Sequence, residues 1–472
     1  MMKTIMLVIN QGFTTRYLLR SNIFHILKRS GVRIIILSPA AKENYFIKEF
    51  FGENVYHELY EPKKYRDKKS KIYQFFTHAR LYSFNSKYYN NFTNYWRVQY
   101  FKSRENVSFV KKTLDLMLKL TIFILSRSMV ARKIFTKIES LITQEIHRPI
   151  FRKYKPDIVI TTSMGTLPYD RFIMQEAKKN GSKIVSLILS WDNTTTKGIS
   201  GAPVDYVVAW TEIMRNELIK YHDLPSNRIF VGGVVQYEEY FKKNNLTTKK
   251  DLFKQLHLAR DKKTIFFCLE SPTAYKWNPD ILHILAEKIK NNEITSPCQL
   301  IVRPHPIYFR VDGKKLAYEK DLNELKKIEK EYSFIKFDYP EILSNCISHD
   351  MPESETYKLG ALIKYSDVLL CFYSSMNIEA SIFDTPIINI ELYHKRNLPN
   401  KVMANHAHNK RVLSTGGVKS VTTRDELIKS INNYLDNPNL DSKGRSLIAE
   451  QETGINRGFA SQEIANYLLK LG

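Results

Sequence analysis

The sequence predicts a two-domain α/β protein built from two doubly wound parallel sheets. Three observations carry that expectation. Short apolar runs alternate with amphipathic stretches in both halves of the chain, the pattern of a parallel sheet wrapped by helices. Each half holds one run that ends abruptly in small polar residues, at Ser190 to Gly198 (SWDNTTTKG) and at Ser366 to Ser375 (SDVLLCFYSS). Open α/β sheets bind ligands beyond the carboxyl ends of their strands, so two such ends suggest two similar domains facing one cleft. At 472 residues the chain is also long for a single core.

The elements follow in order. Residues 3–9 read as a first strand, Asn10 to Thr15 as a polar loop with Gly12 and Thr14, and Arg16 to Ser30 as a helix with apolar spacing at Leu18, Leu19, Ile23, Ile26 and Leu27. Gly31 and strand Val32 to Leu37 complete a βαβ opening. A basic, aromatic, helical insertion fills about 60–150. Strand Asp157 to Thr161, helix Arg171 to Asn180 and strand Lys183 to Leu189 then lead into the Trp191 segment. Strand Tyr206 to Trp210, helix Glu212 to Tyr221 and strand Ile229 to Gly232 close the first domain, 1–240. Residues 241–262 are polar and rich in Lys and Asn, and read as a linker. The second domain, 263–450, restarts with strands at Thr264 to Leu269, Gln299 to Val302, Phe334 to Phe337, Val368 to Phe372 and Pro386 to Ile390. Helices Pro279 to Lys290, Leu322 to Tyr332, Thr356 to Tyr365, Met376 to Phe383 and Arg424 to Leu435 alternate with them. A final helix falls within 451–472.

Composition excludes several classes. The four cysteines, Cys268, Cys298, Cys346 and Cys371, form no CxxC pair and no ligand spacing with histidine. A disulfide framework or zinc site is therefore not expected, and a reducing cytoplasm fits. The start, MMKTIMLVI, turns polar too soon for a signal peptide. The longest apolar stretch, Leu114 to Leu125, includes Asp115 and Lys119 and is shorter than the roughly 18 to 20 residues that span a bilayer. Net charge is +24, unevenly spread: from Lys63 to Lys155 there are 22 Lys and Arg against 5 Asp and Glu. Tyr73, Phe75, Phe76, Tyr82, Tyr88, Tyr89, Phe92 and Trp96 are interleaved with them. Cations beside amphipathic aromatics suit an anionic membrane surface, each Lys or Arg contributing about 1 kcal/mol. No nucleic-acid motif accompanies the charge, and a merely solvated surface is the plainer alternative. The expectation is a cytoplasmic protein, peripheral on the inner membrane face and held mainly by charge.

Three segments could carry chemistry. Arg303 and His305, in Arg-Pro-His-Pro, follow a strand directly; the flanking prolines fix the backbone, and both side chains could reach a phosphate. Ser374, Ser375, Asn377 and Glu379 sit where a strand meets a helix N-terminus, a place for phosphate with Glu379 one turn in for a hydroxyl pair. The plainer reading of Ser375 and Glu379 is a helix cap. Trp191, Asp192, Asn193 and Lys197 occupy the matching place in the first half. A carboxylate there could remove a proton from an acceptor hydroxyl, or Asp192 and Asn193 could simply form an Asx turn.

These segments resemble those of GT-B nucleotide-sugar glycosyltransferases, and within that class they are similar to the CDP-glycerol glycerophosphotransferases of teichoic acid synthesis and to bacterial surface-polysaccharide enzymes. That family's Trp-His-Gly-Thr-Pro-x-Lys segment, whose histidine is catalytic, shares its frame with Trp191 to Lys197, with Asp192 at the histidine position. Its His-Pro loop matches His305-Pro306, and its Asp-Val-Leu-Ile-Thr-Asp-Tyr-Ser-Ser segment matches Asp367 to Ser375. The likeness covers roughly residues 155–440 in order.

It implies a metal-independent glycosyltransferase without cofactor, an N-terminal acceptor domain and a C-terminal domain for a nucleotide-activated donor. Asp192 and His305 would be catalytic. Arg303, Ser374, Ser375, Asn377 and Glu379 would bind donor, and Gly12, Thr14, Trp191, Asn193 and Lys197 would line the acceptor side. The acceptor would be a glycan or lipid-linked molecule of the cell envelope. Aspartate in place of histidine favours sugar transfer over glycerophosphate transfer. The rivals are a non-hydrolysing sugar-nucleotide epimerase, which needs acid and base on both faces of one sugar, and a non-catalytic polysaccharide-assembly protein.

Overall fold

A computed structural model describes residues 2–65, 71–84, 91–104, 108–242, 245–312, 315–392 and 403–471, with backbone alone at 91–94 and 168–169. Tyr88, Tyr89 and the Phe92 side chain of the basic block lie outside that description. The chain forms two compact units, Met1–Val235 with Gly454–Gly472, and Gln236–Thr453.

The first unit is a seven-stranded parallel sheet. Its strands are β1 (Thr4–Val8), β2 (Arg33–Ser38), β3 (Val55–Leu59), β4 (Ile158–Thr161), β5 (Lys183–Leu187), β6 (Tyr206–Ala209) and β7 (Ile229–Val231), in the order β3-β2-β1-β4-β5-β6-β7. Ile5 to Val8 and Ile34 to Leu37 are buried on both faces, which is why these strands read as continuous apolar runs. The chain leaves β1 toward β2 and β3, then crosses back to β4. The turn after β1, with Gly12 and Thr14, therefore lies at the point where strand order reverses. The predicted helix Arg16 to Ser30 is instead interrupted: a wide turn at Thr15–Leu19 ends at Arg20, and Ser21 caps a separate helix, Asn22–Arg29. Ser21 Oγ accepts the Ile23 N–H at 3.3 Å, satisfying one of the free amides of a helix start.

The last helix, Ala460–Lys470, packs on Asn22–Arg29 and so returns to the first unit. Lys3 Nζ donates to the carbonyls of Leu468 and Leu469 at 2.9 Å, neutralising that helix's C-terminal end. Gly232 makes this packing possible, because a Cβ there would stand 2.5 Å from Ile464 Cγ1.

The basic block forms helices Lys71–Ser83, Asn91–Lys102, Phe109–Arg127 and Met129–Ile142. They share a small core that includes Phe76, Tyr82, Leu118, Ile122, Leu125 and Phe135. A buried polar knot ties them to the sheet. Glu139 pairs with Arg80 and, at 3.3 Å, with Arg171 of the helix after β4, while Arg80 Nη1 donates to the Ser200 carbonyl at 2.8 Å.

The second unit is a six-stranded parallel sheet of β8 (Lys263–Cys268), β9 (Cys298–Arg303), β12 (Ile335–Phe337), β13 (Val368–Cys371), β14 (Ile387–Ile390) and β15 (Lys419–Val421). The two-residue strands β10 (Val311–Asp312) and β11 (Lys315–Leu316) form a separate hairpin. Sheet order is β12-β9-β8-β13-β14-β15, so strand order reverses between β8 and β13. Residues 241–262, expected to be a linker, contain helix Lys249–Gln255 with Leu252 and Phe253 buried. Two apolar side chains in a polar stretch suffice to dock it, and its composition conceals them.

Candidate active site

In the second unit the strand ends bring one group of predicted residues together. Arg303 ends β9, and His305 follows two residues on. Arg303 is buried between Asp338 and Glu355, donating through Nη1 to Asp338 and through Nη2 to Glu355 at 2.5 Å. Lys358 also pairs with both carboxylates, at 3.0 Å and 2.7 Å. Desolvation works against the guanidinium, but the two carboxylates win and raise its pKa above the usual arginine value. Both ends of the guanidinium are thus occupied by the protein itself. A phosphate would have to displace a buried carboxylate to reach it, so the geometry gives Arg303 the work of fixing the loop that carries His305.

His305 Nδ1 accepts the Ile307 N–H at 3.1 Å, which leaves the proton of the neutral ring on Nε2. Burial, with the His349 ring 6.1 Å away, pushes its pKa down to about 4. The imidazole is therefore neutral near pH 7, a donor through Nε2–H rather than a cation.

Ser374 and Ser375 stand half-exposed beyond β13, at the reversal point. The helix they open, Met376–Ile382, is short; Ser374 Oγ accepts its Met376 N–H at 3.3 Å. Glu379 is buried, accepting from Tyr240 Oη at 2.8 Å and from Ser375 Oγ at 3.3 Å. Asn377 is also buried and accepts the Cys371 thiol at 3.0 Å. The two serines thus keep part of their surface open to solvent although their hydroxyls bond within the turn, and buried Asn377 and Glu379 hold the turn from behind. Sequence reasoning missed Glu270, which follows β8 on the other side of the same reversal point. Its carboxylate accepts the Ser271 N–H at 2.8 Å, and burial raises its pKa.

In the first unit Trp191, buried, and Asp192 follow β5, and Asp192 opens a four-residue helix, Asn193–Thr196. Ser190 Oγ donates to Asp192 Oδ1 at 2.6 Å, Thr196 Oγ1 to Oδ2 at 2.8 Å, and Lys197 Nζ lies 3.3 Å from Oδ2. Asn193 is buried, whereas Lys197 is exposed. The carboxylate keeps 22% of its side-chain surface open to solvent, so it is oriented by the turn yet reachable. Thr14 and Gly12, after β1, are buried; Thr14 Oγ1 lies 2.9 Å from Thr162 Oγ1 and donates to Asn10 Oδ1 at 3.3 Å. Asn10 and Ser163 both donate to Asp170, a buried carboxyl unseen in the sequence reading. Desolvation holds its pKa up to about 7, with Ser163 acting the other way. Among the described residues no group of three or more His, Cys, Asp or Glu side chains could hold a metal ion.

A family profile described as CDP-glycerol:poly(glycerophosphate) glycerophosphotransferase matches residues 45–470, nearly the whole chain. The chain belongs to this family. No curated protein matches its sequence. Among solved structures, UDP-GlcNAc 2-epimerase from Methanocaldococcus jannaschii is similar at 15% identity and TM-score 0.51, over 99% of each chain. The S. aureus MnaA–UDP complex is similar at 12% identity and TM-score 0.56, over 99% of this chain and 96% of that one. A glycosyltransferase from Rickettsia africae is similar at 13% identity and TM-score 0.50, over 100% of both. Likeness at these identities establishes the shared fold, two parallel-sheet α/β domains of the GT-B kind. Membership in the glycerophosphotransferase family adds a transferase that uses a nucleotide-activated substrate. Among the described residues no helix is long and apolar enough to cross a membrane.

Proposed function

We propose that this family member transfers a sugar from a nucleotide-activated donor to a hydroxyl of a surface polysaccharide or lipid-linked acceptor. The observation that carries the reading is the strand-end cluster of the second unit. Half-exposed Ser374 and Ser375 lie at the reversal point of a parallel sheet, backed by buried Asn377 and Glu379, with the His305 loop held by Arg303 in the same unit. The two serine hydroxyls there suit the donor's phosphates. The neutral His305 would donate to the leaving phosphate oxygen as charge develops on it. Asp192 of the first unit would take the proton of the acceptor hydroxyl. None of these roles calls for a metal or a cofactor. A second reading, glycerophosphate transfer, is favoured by the family match over residues 45–470; Asp192 in place of that family's histidine weighs against it. The basic block would bring the protein to an anionic membrane face at the cell envelope, where a lipid-linked acceptor presents its head group.

Replacing Ser374 and Ser375 together by Ala tests the donor cluster. Donor affinity measured by calorimetry should weaken by about 1–3 kcal/mol, the cost of hydrogen-bonding groups left unpaired. Unchanged affinity would remove both serines from the donor site.

A further inference from the structure

A groove of about 590 Å³ opens in the first unit between helix Met129–Ile142, the segment that leads into β6 and the segment that follows helix Glu212–His222. Its volume is that of a small-molecule site. Five cationic side chains line it, Arg132, Lys133, Lys137, Lys178 and Arg228, against the single carboxylate of Asp223. Two of the five are already engaged. Arg132 grips Asp223 through Nε at 2.6 Å and Nη2 at 2.7 Å, and Lys178 pairs with Asp205 at 2.7 Å. Lys133, Lys137 and Arg228 have no carboxylate partner among the described residues. Lys133 and Lys137 stand one turn apart on the same helix, where like charges repel. Behind these cations the wall is buried and largely apolar, through Ile199 and Val204, and it includes His222, 6% exposed. His222 Nε2 donates to the Thr194 carbonyl at 2.8 Å, which leaves the lone pair of the neutral ring on Nδ1. Burial keeps the ring neutral, its pKa pushed down to about 4. Nδ1 is thus a buried acceptor that meets no donor among the described residues, an uncommon state for such an atom.

We infer that this groove binds a sugar carrying a phosphate ester, with Lys133, Lys137 and Arg228 around the phosphate and His222 accepting from a sugar hydroxyl. Charge selects the phosphate. A phosphate monoester brings close to two negative charges and three acceptor oxygens, which answers three unpaired cations better than one carboxylate would. Arg228 can meet two of those oxygens at once, and the two ammonium groups act as point charges. The apolar wall covers the carbon skeleton, and Nδ1 gains the donor it lacks. None of the candidate catalytic, donor or acceptor residues lines the groove. It is nevertheless joined to the turn that carries Asp192, because Thr194, which holds His222, lies in the short helix that Asp192 opens.

This site goes beyond the transfer reading and does not depend on which group is moved. The test is calorimetric titration of the full chain with glucose 6-phosphate, inorganic phosphate and glucose at low ionic strength. Glucose 6-phosphate should bind roughly fivefold more tightly than inorganic phosphate, the worth of one further hydrogen bond, and glucose alone should give no signal. A triple variant, Lys133→Ala, Lys137→Ala and Arg228→Ala, should weaken that binding by about tenfold or more. These side chains are exposed, so circular dichroism should report an unchanged fold. Removing the same charge at exposed Lys249, Lys250 and Lys254 of the second unit should leave the binding as it is. The double variant Ser374→Ala, Ser375→Ala should also keep it, which separates this groove from the donor cluster. No binding by the folded wild type, or equal losses in the two triple variants, would overturn the site. Equal affinity for inorganic phosphate would overturn the sugar's part in it. Tighter binding of soluble dihexanoyl phosphatidylglycerol than of glucose 6-phosphate would overturn the sugar phosphate as occupant. Titration needs no turnover, so an inactive protein that still binds glucose 6-phosphate here would fail the transfer reading and leave this one standing.

Discussion

Asp192→Asn should lower turnover by a factor of roughly 10² to 10⁴ while leaving donor affinity near the wild-type value. The substitution keeps the size and shape of the side chain and removes its ability to take up a proton. Ser190 and Thr196 would still find one acceptor oxygen between them, so the turn should hold. Asparagine is itself a good residue for such turns and helix starts. The same fact makes the experiment sharp: if Asp192 serves only the turn, Asn serves it as well and the rate survives. A variant keeping more than half the wild-type rate would move the base away from Asp192.

Arg303→Met should destabilise the second unit by about 3–5 kcal/mol, because it leaves Asp338 and Glu355 buried with Lys358 as their remaining cation. For a unit of this size the unfolding midpoint should fall on the order of 10 °C. The control is Arg310→Met, which removes a solvent-exposed pair with Asp312 and should cost less than about 1 kcal/mol. Differential scanning calorimetry on the full chain reads both. The two assignments of Arg303 separate cleanly here. A variant that melts like the wild type but no longer binds donor would return Arg303 to the donor site and discard the positioning role.

Much of this architecture was legible because the central strands are buried on both faces. Ile5 to Val8, Ile265 to Phe267 and Val368 to Leu370 leave no alternative to a parallel core strand. The elements that escaped notice were those the core does not dictate. β3 is a half-exposed edge strand with no apolar run, and β15 is three residues long. The break at Ser21 escaped too, because apolar spacing continues across it and only the cap marks the new helix.

At the site, the sequence located strand ends but not what faces them. Arg303 looked like a phosphate ligand because its partners Asp338 and Glu355 lie 35 and 52 positions away and carry no motif. Tyr240, which holds Glu379, is 139 positions distant. Asp170 and Glu270 were invisible for a related reason: their altered acidity comes chiefly from burial, which no local pattern announces.

The most direct measurement incubates the full chain, together with an extract of envelope polysaccharide and lipid-linked glycans as acceptor, with UDP-, GDP-, CMP- and CDP-linked donors, CDP-glycerol included, and identifies the nucleotide released. Sugar transfer from a nucleoside-diphosphate donor breaks the bond between the sugar carbon and the phosphate oxygen, so the nucleoside diphosphate leaves whole. Glycerophosphate transfer splits the diphosphate linkage and releases CMP from CDP-glycerol. The account predicts consumption of one sugar donor, with intact nucleoside diphosphate released when the donor carries a diphosphate, and loss of that release in Asp192→Asn. CMP appearing from CDP-glycerol alone, or no nucleotide released from any donor by the folded protein, would contradict it.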